Sequence, residues 1–158
     1  MNEMENLCYT FEAALEKAIE MEHKDFRHYL DAIRMLKSES ARKVLRDVAL
    51  DELNHRHTLE KALVEGRLDV SGAMGRPVPT MRLDYVLEKK PLRPDADSCE
   101  ALAHAIHQEK TAVDFYQKMA TGCADAPMGG VFGKIMEDET RHLQALEDLY
   151  EKHCMPEG

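Results

Sequence analysis

The sequence predicts an all-α protein, a four-helix bundle made of two antiparallel helical hairpins joined by a long crossover. Three observations predict it. Apolar residues recur at helical spacing in four long stretches. A segment rich in proline and glycine, residues 66–97, separates the second stretch from the third. The second pair of stretches also repeats the first pair without a gap, at the separation that divides Glu22 from Glu109 and Glu52 from Glu139.

The first helix is expected from Thr10, a good N-cap, to about Leu36. Its stripe is Phe11, Leu15, Ala18, Ile19, Glu22, Phe26, Tyr29, Ile33 and Leu36, with one carboxylate set among apolar side chains. Ser38 or Ser40 caps the second helix, which runs to about Glu65. Its stripe is Val44, Leu45, Val48, Glu52, His55, Leu59 and Leu63. The short connection makes the two helices antiparallel neighbours, a hairpin over residues 11–65.

The crossover carries four of the six prolines (Pro77, Pro79, Pro91 and Pro94) together with Gly66, Gly72 and Gly75. A structureless loop of that length is uncommon inside a domain. It is therefore expected to run the length of the bundle, with one short helix near Met81 to Lys89. The second hairpin spans residues 98–153. Asp97 followed by Glu100 forms a capping box for the third helix. The stripe of that helix is Leu102, Ala105, Ile106, Glu109, Ala112, Val113, Tyr116 and Met119. After a break over Thr121 to Pro127, the fourth helix runs from about Ala126 to about His153, on Val131, Phe132, Ile135, Glu139, His142, Leu146 and Leu149. The 158 residues form a single domain on this reading.

A net charge of -9 argues against a nucleic-acid partner. No apolar run is long enough to span a membrane, and Met1 to Thr10 lacks the apolar core of a signal peptide. Cys8, Cys99, Cys123 and Cys154 are widely spaced and form no Cys-x-x-Cys metal site, so free thiols in a reducing cytoplasm are expected.

The chemistry lies in the polar residues that interrupt the stripes. Asp51-Glu52-x-x-His55 and Asp138-Glu139-x-x-His142 each place a carboxylate and an imidazole on one helix face. A third Glu-x-x-His, Glu20 to His23, points away from the stripe and is read as a chance occurrence. Counting at about 1.5 Å per residue from each hairpin turn puts Glu22 level with Glu52, and Glu109 level with Glu139. Six polar groups, Glu22, Glu52, His55, Glu109, Glu139 and His142, should thus meet near mid-bundle. Four buried carboxylates cannot stay ionised without compensation. The stripes hold no in-register Lys or Arg, whereas two divalent cations would balance the charge. Oxygen and imidazole donors suit iron, manganese or zinc, and the donor set matches that of dinuclear carboxylate bundles.

Ligating histidines usually donate their other ring N–H to a carboxylate. Asp138 is expected to orient His55, and Asp51 to orient His142. Tyr29 and Tyr116 lie two turns beyond Glu22 and Glu109 on the same face, where their hydroxyls could meet a ligand carboxylate. The remaining histidines, His23, His28, His57, His104, His107 and His153, are read as surface residues, and the ten Met as core filler.

Together, Ala18-Ile19-x-x-Glu22 with Tyr29, Asp51-Glu52-x-x-His55, Ala105-Ile106-x-x-Glu109 with Tyr116, and Asp138-Glu139-x-Arg141-His142 resemble the rubrerythrin-like branch of the ferritin-like superfamily. The resemblance implies a ferritin-like bundle and two iron ions that react with peroxide or dioxygen. Glu52 and Glu139 would bridge the metals, Glu22 and Glu109 would be terminal, and His55 and His142 would each hold one ion. Tyr29 and Tyr116 join Glu52 and Glu139 as candidate catalytic residues. Two departures stand out. Rubrerythrins carry a further Glu one turn after the first on the third helix, where this chain has Ala112, and they usually carry a rubredoxin domain, absent here. An external electron donor is therefore expected, together with a homodimer. Alternatives are an iron-oxidising and sequestering protein, a hydroxylase of a small organic substrate similar to the demethoxyubiquinone hydroxylases, and a structural bundle without metal.

Overall fold

A computed structural model of the chain describes residue 8 and residues 10–68, 82–124 and 128–155. Its helices are α1 (Phe11–Met35), α2 (Glu39–Glu65), α3 (Leu83–Val86), α4 (Ser98–Gly122) and α5 (Gly129–Cys154). No strand occurs among the described residues. The closest packing is α1 on α2 and α4 on α5, followed by α2 on α4, so two hairpins form the all-α, ferritin-like bundle.

Local chemistry sets the ends. The Thr10 and Ser38 side chains accept from the backbone N–H of Ala13 and Ala41, starting α1 and α2. Gly66, at φ 74°, ends α2 in the left-handed conformation that glycine adopts without strain. The Asp97–Glu100 capping box forms as expected. The fourth long helix starts at Gly129, later than the sequence suggested. There the chain passes so close to the end of α4 that a Cβ on residue 129 would lie 2.6 Å from the Cys123 carbonyl oxygen.

The crossover returns to the α1–α2 turn, where Lys37 N–H donates to the Pro94 carbonyl at 2.9 Å and Ala96 is buried. The expected short helix is one turn, α3; the part of the crossover over residues 69–81 lies outside the described residues. α3 packs on α4 and is pinned twice. Fully buried Glu147 accepts from the Leu83 N–H at 2.9 Å, and His107 Nδ1 bonds Asp84. This corrects the reading of His107 as a surface residue: it is 7% exposed beneath the crossover. It also explains why the buried face of α5 moves to Leu143 and Glu147, leaving Leu149 exposed.

The cysteines are also corrected. None is free: Cys8 pairs with Cys123, and Cys99 with Cys154. The bridges hold opposite ends of α4, the helix that carries Glu109. They close segments separated by 115 and 55 residues. By loop entropy each is worth up to about 4–5 kcal/mol. Thermal melts with and without reductant should show a large fall in Tm on reduction, and Cys8→Ser alone should reproduce roughly half of it.

Beside a smaller cluster of Leu83, Ile106, Val113 and Leu143 at α3, the core falls into two larger apolar bodies. One gathers Leu15, Ala18, Leu59, Tyr116, Phe132 and Ile135. The other gathers Tyr29, Ile33, Leu36, Leu45, Val48 and Ala105 toward the α1–α2 turn. The polar residues of the stripes lie at the level between them.

Candidate metal centre

Glu22 and Asp25 come from α1, Glu52 and His55 from α2, Glu109 from α4, and Glu139 and His142 from α5. Glu22, Glu52, Glu109 and Glu139 are each 1% exposed. One donor atom each from Glu52, Glu109, Glu139 and His142 falls within 4.8 Å of the others, and so do donor atoms of Glu22, His55 and Glu139. All six residues singled out in the sequence are therefore brought together, with Glu139 common to both groups.

The tyrosines cross between hairpins. Tyr29 donates to Glu109 Oε1 at 3.2 Å. Tyr116 donates to Glu22 Oε1 at 3.2 Å and reaches the Ala18 carbonyl at 3.3 Å. Burial first, then the neighbouring carboxylates, push both phenols well above their ordinary pKa, so they remain donors. The two bonds are mates under the internal repeat.

The expected aspartate partners divide. His142 Nε2 lies 3.5 Å from Asp51. Asp138 instead engages Lys134 at 3.0 Å and Arg141 at 3.7 Å, and His55 Nε2 has no hydrogen-bond partner. Two cations on the preceding and following turns of α5 outcompete one imidazole on another helix.

The electrostatics are those of a site short of positive charge. Burial, then the other carboxylates, raise Glu52 and Glu139 well above the ordinary range. Burial would raise Glu22 as well, but the neighbouring Glu52 carboxyl and the His55 imidazole bring it down to about 2. Burial opposes charge on His55, yet Glu22, Asp138 and Glu109 outweigh it and hold its pKa above the usual histidine value. Protons thus do part of the neutralising.

The fit of a metal pair is tested by the atoms left over. Both oxygens of Glu52 and of Glu139, and one each of Glu22 and Glu109, are buried without a hydrogen-bond partner. His55 Nδ1 lies 2.8 Å from Glu139 Oε1 and 3.2 Å from Glu22 Oε1, yet Glu139 Oε1 has no aligned N–H bond. Buried polar atoms are rarely left so. Oxygen and imidazole donors converging without bonding one another are what a cation requires. The residues fit the group.

A family model, Rubrerythrin, matches residues 13–150. The chain belongs to the rubrerythrin family. No curated protein and no solved structure matches it. Within a rubrerythrin, one asymmetry at this centre was missed by sequence reasoning. Asp25, one turn beyond Glu22, is 8% exposed and accepts from Gln108 Nε2 at 3.1 Å. Burial pushes its carboxyl up to about 7, with Glu22 and Glu109 adding to the rise. Its mate under the repeat is Ala112. The signal was in the chain, an Asp at i+3 from an in-stripe Glu, but it lies at the edge of the stripe.

Proposed function

We propose that this rubrerythrin-family protein is a dinuclear iron oxidoreductase that reduces peroxide or dioxygen with electrons from a separate donor. One observation carries the reading: four carboxylates, each 1% exposed, converge with two histidines and leave six oxygens without hydrogen-bond partners. Glu22, His55 and Glu139 would hold one ion, and Glu52, Glu109, Glu139 and His142 the other, Glu139 being common to both groups. When bound, two Fe(II) ions would supply the two electrons that convert peroxide, with two protons, to two waters.

The residues of the chain then do the rest. Tyr29 and Tyr116 hold Glu109 and Glu22 by one oxygen each, fixing the carboxylates while leaving the other oxygen for metal. Asp51 orients His142. The two apolar bodies exclude bulk water on either side. A 260 Å³ cleft between α2 and α5 is lined by Val44, Val48, Leu146 and Asp51, the residue that also lies 3.5 Å from His142.

Anaerobic Fe(II)-loaded protein mixed with hydrogen peroxide should oxidise faster than free iron and turn over when a reductant is supplied. Oxidation no faster than that of free Fe(II) would remove this function.

A further inference from the structure

α1 and α4 are bridged by a series of polar side chains that leads from the buried centre to the surface. Innermost is Tyr116 on Glu22 at 3.2 Å. Next is Gln108 on Asp25 at 3.1 Å. Outermost are His28 and His104, whose Nε2 atoms lie 2.9 Å apart with the rings stacked at 15°. Glu22, Asp25 and His28 are spaced i, i+3, i+6 on α1. Each step rotates the position by about 60° around the helix. The three therefore wind from the core (Glu22, 1% exposed) past Asp25 (8%) to exposed His28. On α4, His104 and Gln108 share a face at i, i+4.

We propose that His28 and His104 form a surface station for a divalent transition-metal ion, from which the ion passes along Asp25 to the buried carboxylates. The station rests on the reading of the centre as a metal pair. The two Nε2 atoms share a hydrogen bond of 2.9 Å, and an ion that displaced its proton would find them at the spacing of cis ligands, since metal–nitrogen bonds of about 2.0–2.1 Å then subtend about 90°. Ligation needs neutral imidazole. Burial, then His28 and His107, hold His104 down at about 4, so it does not carry a proton near neutrality. His104 also lines a 210 Å³ surface cavity with Glu88, Asp97 and Glu100. Lys90 there is paired to Glu100 at 3.4 Å, leaving net negative charge that favours cations. Asp25 supplies an oxygen donor midway, so an ion need not cross the seam without a ligand.

The test uses metal-free full-length protein. Equilibrium dialysis with Zn(II) should give three ions per chain, one weaker than the other two. His28→Gln/His104→Gln should lose the weak ion and keep two. Glu52→Gln/Glu139→Gln should keep the weak ion and lose the inner pair. Uptake of Co(II), followed by its visible absorption in a stopped-flow mixer, should slow about tenfold in the histidine variant and in Asp25→Asn, with two inner ions still bound at the end. Melting curves check that each variant is folded. Retention of the third zinc by the histidine variant, or Co(II) uptake at the wild-type rate, overturns the station. Zinc unaffected by Glu52→Gln/Glu139→Gln overturns the inner pair instead, so the two failures are distinguishable.

Discussion

Replacement of Glu139 by Gln is expected to abolish paired metal binding, leaving at most one ion at the buried centre. Glu139 is the carboxylate common to both donor groups. An amide keeps its shape but supplies one neutral oxygen in place of two charged ones. Losing a ligand's hydrogen-bond partner alone typically costs 10–100-fold in affinity. Loss of a ligand shared by two ions should cost more than that for both. The same variant should stabilise the metal-free protein, because the wild-type carboxyl is 1% exposed and both its oxygens lack hydrogen-bond partners. Titration calorimetry with Zn(II) and melts of the stripped proteins check both halves. A structural role for Glu139 would give the opposite second result, a less stable variant.

Metal loading is expected to release protons, because burial and the neighbouring carboxylates raise Glu52 and Glu139 well above the ordinary carboxylate range and Glu22 raises His55, all of which favours the protonated forms in the metal-free site. The direction of the pH dependence follows. These three groups have pKa values raised in the folded protein. The stability they contribute is present below their unfolded pKa values and is lost as pH rises through the folded ones. Glu22, held at about 2, behaves oppositely: its contribution is present above its unfolded pKa and is lost as pH falls toward 2. The metal-free protein should therefore be most stable in mild acid and weaken toward alkaline pH. Metal replaces the protons, so the gap in Tm between loaded and metal-free protein should widen from about pH 5 to pH 9. Proton release can be read directly with a pH indicator in weak buffer. A gap independent of pH would mean that these groups do not bind the ions.

The four long helices and the metal-centre residues were legible because both follow from periodicity. Glu22, Glu52, Glu109 and Glu139 stand inside apolar stripes, and the internal repeat gave each a mate, which a chance carboxylate lacks. Thr10, Ser38 and Asp97 marked the helix starts through local hydrogen bonding. The missed features depend on contacts between segments distant in sequence. Cys8 meets Cys123, and Cys99 meets Cys154, only once the bundle has closed. His107 and Glu147 are buried because α3 lies over them, and the path of the crossover has no periodicity to read. Glu60, the repeat mate of Glu147, is exposed. Asp138 was assigned to His55 by symmetry with Asp51, but Lys134 and Arg141 have no counterparts in the first hairpin at Asp47 and Asn54.

The central claim is that cations, not protons, balance the buried carboxylates when the protein works. Metal analysis after anaerobic loading with Fe(II) and removal of free iron tests it most directly. The account predicts two tightly held irons per chain in the wild type and at most one in Glu139→Gln. Wild-type protein that retains no iron, or a variant that retains as much as the wild type, would contradict it.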